Sequence, residues 1–179
     1  MLQRTNAKQV VPVFNSFTET YTRCLDVVNE DPVKLEKLLQ PLGLSWRTRK
    51  IIQLSKVLHE KGEKIPDSKQ DLTKLPGIGE YISNAYLSFF RDIRAPIIDR
   101  NAVRLWGRIF GFEIDRETHR KKWFIELCWK LTPYENFKEF NYALLDFTRT
   151  VCKRKPICNE CPLNSICMST NRYEVLIGK

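Results

Sequence analysis

An all-α fold is predicted by three features of the sequence. Period-two alternation of apolar and polar residues is almost absent, apolar residues recur at helical spacing, and the connections are short and marked by Pro or Gly. Helices that each bury one stripe then pack on one another. Val10, Phe14, Phe17 and Tyr21 predict the first helix. Asp31 and Pro32 suit an N-cap and a first helical position, opening a helix that carries Val33, Leu38 and Leu39. Ser45 is expected to cap the next, with Ile51, Ile52, Leu54, Val57 and Leu58, and Gly62 to stop it. Residues 80–90 place Ile82, Ala85, Tyr86 and Phe89 on one face. After Asp99, the spacing of Val103, Trp106 and Phe110 predicts another helix. Residues 118–131 and 137–151 predict two more, rich in Trp and Phe. There is no repeat, low-complexity tract or long linker.

A chain of 179 residues suits one large domain or two small lobes, and 42% hydrophobic residues suffice for a core. Thirty Lys and Arg against 21 Asp and Glu give a net charge of +9. That excess favours nucleic acid or an anionic surface as partner, though a merely soluble basic protein also fits. No apolar run approaches the ~20 residues that span a bilayer, and no secretory signal is visible. Four of the six cysteines are bunched, while Cys24 and Cys128 stand apart. This usage suggests a reduced cytoplasmic protein, nucleoid-associated if prokaryotic, with one cysteine-ligated centre rather than a disulfide scaffold.

Cys152, Cys158, Cys161 and Cys167 read C-x5-C-x2-C-x5-C within sixteen residues. Thiolates this close are expected to meet at one point, which is a metal or cluster site; zinc and an iron–sulfur cluster both suit it. Lys153, Arg154 and Lys155 lie inside this stretch. They would reach a polyanion such as a phosphate backbone, or form a solvated charged loop.

Residues 75–79 read Leu-Pro-Gly-Ile-Gly. Pro76 cannot continue a helix, and Gly77 and Gly79 permit a tight, close-approach turn. The following helix would present its N-terminal amides to a phosphate. An ordinary helix–helix turn with a glycine stop is the plainer alternative.

Leu-Pro-Gly-Ile-Gly, then Asp99 twenty residues after Gly79, then the four-cysteine loop, together resemble the helix-hairpin-helix DNA glycosylases of the endonuclease III and MutY type. Leu2-Gln3-Arg4-Thr5, Pro41-Leu42-Gly43-Leu44, Ile97-Ile98-Asp99-Arg100-Asn101 and Phe140-Asn141-Tyr142-Ala143-Leu144-Leu145-Asp146 extend the resemblance along essentially the whole chain. It implies two helical lobes, 1–95 with the hairpin at about 68–90, and 96–179 with a cluster loop at 152–167. It implies a base-excision N-glycosylase acting as a monomer on double-stranded DNA with a mismatched or damaged base.

Within that resemblance Asp99 matches the catalytic aspartate, which stabilises charge on the sugar as the base leaves. Without it, an N-cap would be the natural role of Asp99. Asn101 matches an asparagine that supports the aspartate. Tyr81 stands where endonuclease III carries the lysine that forms a Schiff base, and a phenol cannot do so. The implied enzyme is therefore monofunctional, although the amine of Lys74 lies nearby in sequence. Its implied target is thymine or uracil opposite guanine, then adenine opposite guanine or 8-oxoguanine. Gln3 and Arg4 match the turn that fills the gap left by a flipped base. Pro76, Gly77, Ile78 and Gly79, with Lys153, Arg154 and Lys155, would contact the backbone. The resemblance favours a structural [4Fe-4S] cluster over zinc.

Two departures accompany the match. Residues 153–157 are five where the family usually has six. Relatives also carry a helix of about two dozen residues before the Leu-Gln-Arg-Thr turn, with a glutamate in MutY-like members that helps protonate the base. That first helix is expected to be lacking from the sequence that starts at Met1, so an upstream extension is expected, with Met1 an internal methionine. A C-terminal domain that reads 8-oxoguanine is not expected here. Two other classes remain: a catalytically inactive helix-hairpin-helix DNA-binding protein, and a zinc-stabilised all-α DNA-binding protein.

Overall fold

Asn6 opens the first helix, its side chain accepting from the amides of Lys8 and Gln9, which have no partner inside a helix. The structure is a computed structural model and describes residues 1, 5–43 and 45–170. Among those residues the regular elements are α and 3-10 helix, without a strand, as the sequence pattern predicts. Two compact units divide the chain, Met1–Gly79 and Glu80–Lys179.

The first unit holds α1 (Ala7–Thr20), α2 (Cys24–Asn29), α3 (Pro32–Leu39), α4 (Trp46–Glu60) and α5 (Lys69–Leu72). Val10, Val13 and Tyr21 carry the buried stripe of α1, with Phe17 beside them, whereas Phe14 is 50% exposed. The expected stripe is thus corrected by one residue, because Val13 shares the 3.6-residue period with Val10 and Phe17. Asp31 caps α3, accepting from the Val33 amide. Leu35 and Leu39 face inward, and Val33 does not.

Ser45 precedes α4 but makes no side-chain capping bond, so the expected cap is not formed. The far end of α4 follows expectation. Gly62 has φ +68° and donates to His59 O at 3.0 Å, while Glu63 donates to Leu58 O at 2.7 Å. These two bonds form a Schellman stop.

The second unit holds α6 (Glu80–Phe90), α7 (Arg100–Phe110), α8 (Lys122–Leu131) and α9 (Phe137–Thr150). Its first helix buries Ser83, Asn84, Leu87 and Ser88, while the apolar face expected at Ile82, Ala85, Tyr86 and Phe89 is half-buried. The helix expected over 118–131 is interrupted. Thr118 Oγ1 accepts from the Asp115 amide and donates to Asp115 Oδ1, both at 2.8 Å. This local bonding ends a 3-10 turn at Arg120, and extended Lys121 leads into α8.

The division between the two units falls between Gly79 and Glu80. The reason is polar and local to the second unit. α6 packs on α9, Asn84 donates to Pro96 O at 2.9 Å, and Asn141 donates to Ser88 Oγ at 2.8 Å. Among the described residues no helix is long and apolar enough to cross a membrane.

Candidate active site and cysteine loop

Ala95, Pro96, Ile97 and Ile98 form a buried extended segment that delivers Asp99 to the start of α7. Asn141 holds this segment from α9. Its amide nitrogen donates to Ala95 O at 2.8 Å and its oxygen accepts from Ile97 N at 3.3 Å. With Asn84 on Pro96, the carbonyls of Ala95 and Pro96 are both paired in a buried setting, as buried backbone requires.

Asp99 is an N-cap, which settles one of its two possible roles. Oδ1 accepts from the amides of Asn101 and Ala102 at 2.9 and 2.8 Å. Oδ2 accepts from Asn101 Nδ2 at 2.7 Å. Asn101 Oδ1 in turn accepts from Arg104 Nη1 at 2.9 Å. The polarity of this chain is fixed by chemistry, since guanidinium only donates and carboxylate only accepts. The cap leaves Oδ2 with a lone pair, so capping and catalysis are compatible.

Tyr81 sits in the first turn of α6, half-buried, and packs with Ala85 and Phe89 against the buried cluster that holds Ile97 and Leu105. Its phenol is pushed above the usual range, first by burial and then by the charge of Asp99. Cys128 feels the same carboxylate. Burial, with a smaller contribution from Asp99, pushes its thiol up to about 12, so it stays an unreactive thiol at neutral pH.

In the first unit, Ile78 donates to Leu75 O at 3.1 Å and Gly77 has φ +79°. A Cβ on Gly77 would lie 3.3 Å from Lys50 Cβ. Glycine is needed there twice over, for its positive φ and for close approach. Leu75 is buried, Pro76 and Ile78 are half-buried, and Gly77 and Gly79 are exposed. Lys50 was not legible as a neighbour of this turn, because only the fold brings α4 to it. Gln3 and Arg4 lie outside the described residues.

Cys152 is buried at the end of α9; Cys158, Cys161 and Cys167 are half-buried, and all four are free thiols. Lys153, Arg154 and Lys155 are exposed between them. Among the described residues, no group of three or more His, Cys, Asp or Glu stands together so as to hold a metal ion. The meeting of Cys152, Cys158, Cys161 and Cys167 at one point stays an expectation drawn from their spacing. Cys152 is docked in the core with Leu163 and Cys167, whereas Cys158 begins a separate 3-10 turn. The chemistry of the donor set, four thiols on one short loop, still fits the ligation of a [4Fe-4S] cluster.

Sequence reasoning also missed two arginines of α7. Arg104 Nε and Nη2 donate to Cys152 O at 3.1 and 3.0 Å, and Nη2 to Thr148 O at 2.9 Å. Arg104 therefore joins the Asp99–Asn101 pair to the end of α9. Arg108, one turn on, reaches the basic loop itself.

A capped aspartate after a buried strand-like segment, a glycine hairpin ahead of a helix, and an all-helical body define a helix-hairpin-helix glycosylase fold. The sequence profile of the HhH-GPD superfamily base excision DNA repair proteins matches residues 1–133, and the chain belongs to that superfamily. The match ends before the cysteine loop. The chain is similar to a thymine-DNA glycosylase of Aeropyrum pernix, 36% identical over 181 residues, covering 96% of this chain and 79% of that protein. It is similar to a thymine/uracil-DNA glycosylase of Pyrobaculum aerophilum, 32% identical, covering 97% and 79%. An adenine DNA glycosylase of Buchnera aphidicola is 34% identical over 176 residues, and the chain spans 48% of its length. Among solved structures, a thermostable thymine-DNA glycosylase superposes with a TM-score of 0.88 at 27% identity, covering 96% and 80%. Endonuclease III in a non-covalent DNA complex shares the fold, with a TM-score of 0.83 at 24% identity.

Proposed function

We propose that this protein is a monofunctional DNA N-glycosylase that removes thymine or uracil opposite guanine and acts as a monomer on double-stranded DNA. The observation that carries the reading is the Asp99 carboxylate, fixed by two backbone amides and the Asn101 side chain, with a phenol rather than an amine at residue 81. As the C1′–N bond breaks, its electron pair leaves with the base and positive charge grows on the sugar. A preorganised carboxylate stabilises that charge at no cost of reorganisation. Water then adds to C1′ and gives up its proton, leaving an abasic site.

Tyr81 supplies no Schiff-base nitrogen. Lys74 is held by Asp71, Nζ to Oδ1 at 2.8 Å, and is not the lysine of the family's hairpin position. Thymine and uracil are favoured over adenine by the 36% identity to the thymine-DNA glycosylase of Aeropyrum pernix and by the TM-score of 0.88 to a solved thymine-DNA glycosylase. Adenine opposite guanine or 8-oxoguanine is the second candidate substrate. Pro76, Gly77, Ile78, Gly79 and the loop cations Lys153, Arg154 and Lys155 are proposed phosphate contacts, and Gln3 and Arg4 the turn that fills the vacated stack.

The test is a panel of duplexes carrying each mispair, with alkali to reveal abasic sites and borohydride to trap Schiff bases. Alkali-labile cleavage at G·T and G·U is expected, with little trapping. Tyr81→Lys should gain trapping, since it restores an amine. Tight binding without release from any duplex would favour the inactive DNA-binding protein instead. Strong trapping by the wild type would assign the chemistry to another amine.

Cys152, Cys158, Cys161 and Cys167 are proposed to hold a [4Fe-4S] cluster with a structural role, since hydrolysis consumes no electrons. Protein purified without oxygen should contain iron and sulfide and absorb broadly in the visible. Stoichiometric zinc without iron would reject the cluster.

A further inference from the structure

Arg108 stands one helical turn beyond Arg104 on α7, on the same face. Its Nη1 donates to Lys153 O at 2.7 Å and to Cys152 Sγ at 3.4 Å. Its Nη2 donates to Arg154 O at 2.9 Å. Its own carbonyl accepts from Cys167 Sγ at 3.4 Å. One residue thus touches the first and last of the four cysteines and two residues of the basic stretch.

That stretch has little else to hold it. Lys153, Arg154, Lys155 and Pro156 are all exposed. The nearest backbone bonds lie at its ends, Cys152 N to Phe147 O and Ile157 N to Val151 O. Three adjacent cations also repel one another, and Arg108 adds a fourth positive charge. A guanidinium fork on two consecutive carbonyls offsets that repulsion, and a lysine cannot reproduce it, having one nitrogen where the fork has three.

We infer that Arg108 is a positioning residue for DNA binding: its fork fixes the backbone at Lys153 and Arg154, and so presents the loop's cations to the phosphate backbone. The inference rests on the proposed reading of this loop as a DNA contact, and it concerns a residue that the sequence pattern would leave on a solvated helix face.

The experiment uses full-length Arg108→Lys, which keeps the net charge but removes the fork, with iron and sulfide measured so that equally loaded proteins are compared. Trypsin should nick after Lys153 and Arg154 at least about tenfold faster, because charge-assisted hydrogen bonds are lost; the bond after Lys155 precedes Pro156 and resists. The slope of log affinity against log salt for undamaged duplex should flatten by about one to two, the weight of one or two phosphate contacts. A merely structural role would raise nicking without moving the slope. The triple variant Lys153→Ala, Arg154→Ala, Lys155→Ala should flatten the slope as well, and adding Arg108→Lys to it should change nothing further.

Wild-type nicking and slope in Arg108→Lys would overturn the inference, as would an additive effect on top of the triple variant. An unchanged slope in the triple variant would instead overturn the reading of the loop as a DNA contact. If Arg108→Lys does not fold, Arg108→Gln retains one planar donor group. Its expected nicking is faster than wild type, and its slope beyond the triple variant is expected to be unchanged.

Discussion

Asp99→Asn is expected to lower single-turnover base release by about 10²–10³-fold, the scale of losing one preorganised electrostatic contact to a transition state. Duplex affinity should stay within about threefold, because the charge that the carboxylate stabilises exists only as the bond breaks. Asparagine is as good an N-cap as aspartate, so the bonds from Asn101 N and Ala102 N to Oδ1 survive. The other oxygen does not fare so well. Its replacement puts an NH2 group opposite Asn101 Nδ2, now 2.7 Å from Oδ2. Rotating the Asn101 amide relieves that clash but turns its NH2 group toward Arg104 Nη1. One exposed hydrogen bond is lost either way, at about 0.5–1.5 kcal/mol, and the melting temperature should fall by a few degrees at most. Asn101→Ala separates the two effects, since it breaks the chain yet keeps the carboxylate. It should lose much less rate than Asp99→Asn at a comparable melting temperature. Equal loss in both variants, or near wild-type release by Asp99→Asn, would leave Asp99 as a helix cap alone.

What could be read from the sequence was local along the chain. Asp31, Gly62 and Asp99 act on amides and carbonyls within five residues, so residue type and position already define their conformations. The glycine hairpin is legible for the same reason. Errors arose where one short-range preference competed with another. Ser45 is a good capping type that caps nothing, and Thr118 diverted the backbone of a predicted helix into a 3-10 turn. Facing directions were harder, because Val13 and Phe14 both fit a helical period and only tertiary packing chose between them.

The parts of the candidate site that could not be read depend on contacts between distant segments. Arg104 and Arg108 bond residues 44 to 48 positions away. In sequence they are two cations on an amphipathic helix, indistinguishable from a solvated face. Their partners are backbone carbonyls, which carry no residue type to recognise. The amides buried between α6, the 95–97 segment and α9 were hidden likewise.

Asn141→Leu is expected to produce the largest loss of stability of any single change near the site. The residue is wholly buried in α9, and leucine keeps its branched shape while removing both polar atoms, with some overpacking added because leucine is the bulkier side chain. Asn141 Nδ2 donates to Ser88 Oγ and Ala95 O, both at 2.8 Å, and Oδ1 accepts from Ile97 N at 3.3 Å. Leucine would strand a hydroxyl, a carbonyl and an amide in a dry interior. Each such group costs about 1–3 kcal/mol, and shared relaxation makes the sum less than additive. A total of roughly 3 kcal/mol corresponds to a fall of about 6–12 °C in melting temperature for a chain of this size. Ser88→Ala removes one of the three bonds and should cost a smaller part of that. The loss should also reach the chemistry, because Ala95 and Ile97 lead directly to Asp99, and a displacement of about 1 Å in a catalytic group costs on the order of 10²-fold in rate. In the wild type, the Ile97 amide should exchange hydrogen only through opening of the second unit; in Asn141→Leu it should exchange far faster than its neighbours in α7. A variant that melted within about 2 °C of the wild type and kept Ile97 protected would show that the segment is held by its apolar side chains alone, and Asn141 would lose its place in positioning Asp99.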